Sequence, residues 1–291
     1  MKQNLLVSFS GGETSAYMAH WLWVNCQERF NMVFVFANTS QENYETIQFI
    51  RKCAEYFDIK IHCVEAVVHH GIRKANTHKV VNIWDASMDG EVFEEIIKKH
   101  GIPNQNFPHC TRELKTNPIK SFGKEYFNGE PYFTAIGIRV DEIDRISANH
   151  KENKIIYPLL QKEFIPSTKK MINEFWRNQP FRLELKGYQG NCITCWKKSD
   201  KKLLQISKEN PHALNFFSLM ESKYGHFTPE SRLKLIESRG ELPKYPITFF
   251  RGNRSAYDMF MLSKDFDGNV SDDSQEYDSE SCEVFSECFN N

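Results

Sequence analysis

The sequence predicts an α/β protein: a five-stranded, mainly parallel sheet with helices on both faces, followed by a helical C-terminal region. Three observations carry that prediction. Short apolar runs recur at residues 5–7, 32–36 and 59–67, amphipathic stretches with helical spacing separate them, and each of the first two ends in a polar or glycine-rich segment. In open parallel sheets such strand ends border the ligand crevice. The 291 residues suffice to bury a sizeable core.

Taken in order, residues 4–17 read as a strand, a glycine turn and the start of a helix. Leu5, Leu6 and Val7 form the strand, and Gly11 and Gly12 permit a tight reversal without a Cβ clash. The helix opens at Glu13 and extends to about Arg29. Its first amides lack carbonyl partners and carry the positive end of the dipole, while Ser8, Ser10, Thr14 and Ser15 add hydroxyls, so the turn suits an anion such as phosphate. No Gly-x-x-x-x-Gly-Lys-[Ser/Thr] pattern occurs and no lysine lies in the turn, which leaves main-chain amides and hydroxyls as donors.

The second strand, 32–36, runs into Ala37, Asn38, Thr39 and Ser40, a polar cluster on the same side of the sheet as the turn. Residues 42–57 then have helical spacing, and 59–67 give the third strand. Residues 69–90 contain His69, His70, His78, Trp84 and Asp85, but their spacing matches no standard ligand pattern, so this stretch reads as a mobile loop over the site. A helix follows over 90–100. Within 106–122, Cys110 is surrounded by Arg112, Lys115 and Lys120, cations that lower a thiol's pKa or hold phosphate, and Thr111 stands where it could cap a helix.

Residues 131–138 form the fourth strand, with Gly137, Ile138, Arg139, Val140, Asp141 and Glu142 at its carboxyl end. The planar fork of Arg139 is suited to gripping two oxygens of one anion; Asp141 and Glu142 could hold Mg²⁺ or pair with Arg145. A fifth strand spans 155–159 and a helix 167–178, with Pro166 just ahead of it. Cys192 and Cys195 make a Cys-x-x-Cys turn, which is open to zinc, iron-sulfur or dithiol redox use. From 201 to 239 the pattern is helical, with Leu203, Leu204, Leu214, Phe216 and Phe217 as core, and the basic turn 249–255 stands ready to cover a nucleotide. Cys26, Cys53 and Cys63 fall on apolar faces and read as buried thiols.

Composition sets the setting. No apolar run approaches the length of a membrane span and the chain enters strand-like sequence at once, so a cytoplasmic protein without membrane contact is expected, with its eight cysteines reduced. The net charge of −1 conceals an asymmetry: residues 264–291 hold one Lys against nine Asp and Glu, leaving 36 basic against 29 acidic side chains, +7, on the rest. That tail, which includes Cys282 and Cys288, reads as disordered solvated padding; the sharper idea is that it competes with a polyanion for a basic groove. The expected divisions are 1–180, an α/β domain that the resemblance described next makes nucleotide-binding; 181–263, a helical region with the Cys-x-x-Cys; and 264–291, the tail.

The string Ser10-Gly11-Gly12-Glu13-Thr14-Ser15 resembles the pyrophosphate-loop signature of the adenine nucleotide alpha-hydrolase superfamily, the PP-loop proteins. Residues 36–46, the string Cys110-Thr111-Arg112-Glu113-Leu114-Lys115, the Gly-Ile-Arg-x-Asp-Glu string 137–142 and the pair Cys192 and Cys195 are similar, in order, to segments of its phosphoadenylyl-sulfate (PAPS) reductase-like branch. The resemblance covers residues 4 to about 200. It implies a HUP-type fold and an adenine nucleotide, ATP or PAPS, with Mg²⁺. It assigns Ser8, Ser10, Gly11, Gly12, Glu13, Thr14, Ser15, Asn38, Thr39, Gly137 and Arg139 to the nucleotide. It gives catalytic roles to Lys115, Arg139 and Cys110.

The activity so implied is adenylylation of a substrate, ATP going to AMP and pyrophosphate. A [4Fe-4S] cluster on Cys110, Cys192 and Cys195 would then deliver sulfur to a nucleobase or nucleic acid, tRNA or DNA; Zn²⁺ completed by His109 is the alternative metal. A homodimer is compatible with the resemblance. Two other readings are a sulfonucleotide (PAPS or APS) reductase and a non-catalytic nucleotide- or nucleic-acid-binding protein with a structural zinc. The chain departs from true reductases in lacking their C-terminal Glu-Cys-Gly-Leu-His string, since Glu287-Cys288 runs into Phe289. Glu13 stands where many relatives place Lys or Arg, and Thr14 replaces a common Asp.

Overall fold

The structure, a computed structural model, describes residues 1–71, 74–190 and 192–270. Most of the acidic tail, with Cys282 and Cys288, lies outside the described residues. The sheet has six strands in the order β4-β3-β2-β1-β5-β6. Strands β1 (Gln3–Ser8), β2 (Phe30–Asn38), β3 (Ile61–Val67), β5 (Phe133–Ala135) and β6 (Ile155–Ile156) pair in parallel, and β4 (Thr77–Val81) closes the β3 edge antiparallel. Val7 lies between Phe34 and Ala135 in register, at the centre of the sheet.

Side chains alternate across the strands as the two-residue period requires. Leu5, Val7, Phe34 and Phe36 point to the face covered by α1 (Glu13–Asn25), α2 (Tyr44–Tyr56) and α5 (Lys169–Arg177), where Met18, Leu22, Phe49, Ile50, Ile172 and Trp176 complete one core. Leu6, Val33, Val35, Ala37 and Val64 point the other way, against Ile119 and Phe122 of α4 (Asn117–Tyr126). Leu5, Leu6 and Val7 are all fully buried, which is why β1 reads as a continuous apolar run; each contributes ~1.5–3 kcal/mol through burial. Cys26, Cys53 and Cys63 are buried thiols, and desolvation pushes Cys63 up to about 12 and Cys53 further still.

The sixth strand corrects the expected five, and it lies inside the stretch expected to be a mobile loop. β4 is an edge strand whose residues are largely exposed, so it carries no apolar run to announce itself. Lys79, paired across from Glu65, reaches its buried carboxylate at 3.0 Å. The segment after β4 is pinned to the sheet: Ser87 N donates to Glu65 at 2.9 Å and Gly90 N to the Ser40 carbonyl at 3.0 Å. His78 packs on Phe122 and bonds Ser121, a structural use of one histidine in that stretch.

The C-terminal helices α6 (Asp200–Glu209), α7 (Asn215–Tyr224), α8 (Glu230–Ser238) and α9 (Ala256–Lys264) follow the sheet. Leu203, Phe217, Met220, Phe249 and Met259 form a common core with Val92, Phe93, Ile96 and Ile97 of α3 (Glu91–His100). Among the described residues no helix is long and apolar enough to cross a membrane.

Candidate functional site

The site is built at the carboxyl ends of β1, β2 and β5, beginning with the turn between β1 and α1. Gly11 has φ +86, and a Cβ there would meet Thr46 Cγ2 at 2.6 Å, so both backbone and space require glycine. Gly12 caps α1 without a side chain. The Ser15 hydroxyl fixes the turn: it accepts from Ser10 N at 3.1 Å and Ser10 Oγ at 3.0 Å and donates to the Gly12 carbonyl at 2.9 Å. Ser8 Oγ, fully buried behind it, finds no hydrogen-bond partner among the described residues.

Glu13 is held from outside the turn. Arg182 grips its carboxylate through Nε and Nη2, both at 3.0 Å, Leu183 N adds a third bond at 3.2 Å, and Trp176 Nε1 donates to the Glu13 carbonyl at 3.0 Å. Thr14 is engaged from the opposite side: Arg139, a buried residue beyond β5, donates from Nη1 to Thr14 Oγ1 at 3.1 Å. Gly137 makes this approach possible, because a Cβ there would lie 3.3 Å from Ser15 Cα. The guanidinium is oriented by Asp141, 3.2 Å from Nε, and Glu142, 3.3 Å from Nη1; Glu142 also pairs with Arg145. Of the two roles open to these carboxylates, pairing with arginine is the one observed.

At the end of β2, Asn38 is fully buried and spent on structure. Its amide donates to Glu65 at 2.8 Å and to the Ser87 carbonyl at 2.7 Å, and its oxygen accepts from Ser40 N at 3.1 Å. Ser40 itself turns the chain with φ +62. Thr39 Oγ1 donates to Glu42 Oε1 at 2.9 Å, and the buried Lys115 ammonium stands 3.4 Å from the same oxygen. Glu42 Oε2 is buried with no hydrogen-bond partner among the described residues, so this carboxylate is held between Thr39 and Lys115 with spare acceptor capacity.

Lys115 is delivered by a single π-helical turn, Arg112–Thr116, that precedes α4. Thr111 was expected to cap a helix here; it has helical φ −60 and ψ −45 and makes no side-chain cap bond, because the chain is already wound. Burial pushes the Glu113 carboxyl up, but His100 and Arg112 together outweigh it and hold the group at about 2. Burial, assisted by His100, pushes His109 down to about 3, so its imidazole is neutral.

Cys110 is half-buried beside the core shared by α3 and the C-terminal helices. Cys192 lies at the β2 end, its Sγ 3.8 Å from Thr39 Oγ1, and its backbone bridges antiparallel to Glu42 while Ile193 N donates to the Gln41 carbonyl at 3.0 Å. Among the described residues, no three His, Cys, Asp or Glu side chains stand so as to hold a metal ion. The centre expected on Cys110, Cys192 and Cys195, with His109 as the zinc alternative, is thus not shown among the described residues.

Beside the Cys-x-x-Cys turn lies Lys198, whose ammonium donates to the carbonyls of Gln189, Cys192 and Ile193. Burial depresses it to about 8, against the opposing pull of Cys195 and Cys192. The turn 249–255 docks against this segment, with Arg251 donating to the Lys197 carbonyl at 2.9 Å and Arg254 to Asp200 at 2.5 Å. Sequence reasoning missed Glu42, Lys198 and Arg182. Lys198 had a signal, a basic residue three positions past the Cys-x-x-Cys; Arg182 had none, being 169 positions from its partner.

Comparison with known proteins agrees with this geometry. The family model described as phosphoadenosine phosphosulfate reductase domain matches residues 4–154. The chain is also similar to the uncharacterized nin region protein ORF290 of Escherichia phage lambda, 32% identical over 204 residues that cover 68% of this chain and 67% of that protein.

Proposed function

Since this chain belongs to the phosphoadenosine phosphosulfate reductase domain family, within the PP-loop adenine nucleotide alpha-hydrolase superfamily, we propose that it is an enzyme that uses ATP to adenylylate a substrate oxygen. The phosphates lie on the turn of Ser8, Ser10, Gly11, Gly12, Thr14 and Ser15, with Glu13 bracing that turn through Arg182. The observation that carries the reading is the bond from Arg139 to Thr14: it sets a buried guanidinium against a lysine-free phosphate turn. Asn38 and Thr39 border the adenosine, Asn38 by fixing the strand end and not by its own amide.

The substrate oxygen attacks the α-phosphorus, the bond to the bridging oxygen breaks and pyrophosphate leaves, giving an adenylylated substrate. Arg139 and Lys115 offset the charge that gathers on the α-phosphate oxygens as this happens. Mg²⁺ bound with the nucleotide would neutralise phosphate charge. No step runs through a metal on the cysteines. The +7 balance of residues 1–263 supports a polyanionic carrier of the attacking oxygen, tRNA or DNA.

The test is product analysis after incubation with Mg-ATP and tRNA or DNA. AMP and pyrophosphate in equal amounts support the reading; ADP and phosphate, or no turnover with any nucleic acid, contradict it. One observation favours a second reading, sulfonucleotide reduction: the Cys192 thiol stands at the crevice beside Thr39. Release of sulfite from PAPS in the presence of a dithiol would select it.

A further inference from the structure

We propose that Cys192 and Cys195 form a reversible dithiol–disulfide couple, with the Lys198 ammonium as the cation beside the pair. The inference rests on neither reading of the nucleotide site. Neither cysteine is in a disulfide in this structure, and each is only half-buried, so a small oxidant can reach the pair. Residues 193 and 194 form the turn between them, and this two-residue spacing is that of dithiol redox pairs.

The centre of this segment is already occupied by a cation. Lys198 is 7% exposed, donates to Cys192 O at 2.8 Å and Ile193 O at 3.1 Å, and also bonds the Gln189 carbonyl. Both thiols interact electrostatically with its ammonium, and so does Glu42. Gly190, at φ +57, lets the chain close on it: a Cβ there would lie 3.4 Å from Lys198 Cε and Nζ. A buried ammonium beside the pair would stabilise a thiolate.

The chemistry balances with a small-molecule disulfide as oxidant. One thiolate attacks a sulfur of that disulfide, a mixed disulfide forms and one small thiolate leaves. The second cysteine thiolate then attacks the protein sulfur of the mixed disulfide and expels the other. The protein gives up two electrons and two protons, and the small disulfide gains them. Because Cys192 is bridged to Glu42 and touches Thr39, the couple sits at the wall of the nucleotide crevice.

The experiment equilibrates the full chain in glutathione buffers of graded potential, traps the thiols with acid and an alkylating reagent, and maps disulfides by mass spectrometry, alongside metal analysis of the protein as purified. The expected result is one reversible intramolecular disulfide between Cys192 and Cys195, lost in Cys192→Ser and in Cys195→Ser, with no stoichiometric metal. Lys198→Met, which removes the charge that stabilises the reduced form, should favour the disulfide about tenfold, a midpoint lower by about 30 mV, and Lys198→Arg should restore it. Stoichiometric metal or cluster lost in both serine variants would overturn the proposal, as would failure to form this disulfide at any potential. A Lys198→Met midpoint equal to that of the unaltered protein would overturn the role of the lysine.

Discussion

Gly11 shows how a single residue can be legible in sequence and then prove doubly constrained. A Gly-Gly pair between a buried strand and a helix announces a tight turn; the structure adds that φ is +86 and that Thr46 fills the space a side chain would need. Gly11→Ala should therefore lose about 1–3 kcal/mol of stability, read as a lower urea midpoint, and an unchanged midpoint would contradict the geometry. Arg139 stood out through the Gly-Ile-Arg-x-Asp-Glu string, and the structure sets its guanidinium against Thr14. Glu13 was read less well. Its position suggested the nucleotide, but its carboxylate is taken by Arg182, a partner so distant in sequence that no local pattern couples them. Glu42 and Lys198 were hidden for a different reason: a charged residue reads as surface until the structure buries it.

At the scale of elements, the strands and helices with a full apolar face were legible and those without one were not. β4 is the case in point, an edge strand stabilised by pairing with β3 and by the Glu65–Lys79 contact rather than by burial of its own. The π-helical turn at Arg112–Thr116 was likewise invisible, since it differs from an α-helix by one carbonyl partner. These elements also set how stability varies with pH. His109 is held near 3 by burial, so the unfolded chain binds a proton that the folded one refuses once pH falls below about 6.5. Its contribution thus falls as pH drops from 6.5 towards 3, by about 2 kcal/mol at pH 5. Glu221, raised to about 7 by burial above α7's contacts with Phe249 and Ala256, acts oppositely: its contribution is present below 4.5 and lost as pH rises through 7. Urea midpoints across this range should show the acid-side fall reduced in His109→Asn, which keeps a donor for the Phe107 carbonyl; an identical acid-side slope would contradict the assignment.

For the whole molecule, the sequence was right about a parallel α/β body with a helical C-terminal region, and the structure adds how firmly the two are joined. α3 lends one side to the core of the C-terminal helices, and the segment carrying Arg182 and Trp176 clamps the first turn of α1. The end of α9 is part of this body, because Ser263 Oγ bonds Ser207 at 3.0 Å and Lys208 donates to the Phe266 carbonyl. A cut meant to remove acidic charge alone therefore belongs after Val270. Removing 271–291 deletes seven acidic and no basic side chains, moving the net charge from −1 to +6. Affinity for DNA or tRNA should rise at low salt and converge with that of the full chain at high salt; equal affinities at low salt would contradict competition by the tail.

What the account asserts above all is that the turn between β1 and α1, faced by Arg139, binds nucleotide phosphates. Calorimetric titration of ATP and of adenosine into the unaltered protein and into Arg139→Ala tests this most directly. ATP should bind the unaltered protein more tightly than adenosine, and the substitution should weaken ATP tenfold or more, ~1.5–3 kcal/mol for a charged contact, while leaving adenosine unchanged. ATP binding no tighter than adenosine, or indifferent to the loss of Arg139, would contradict it.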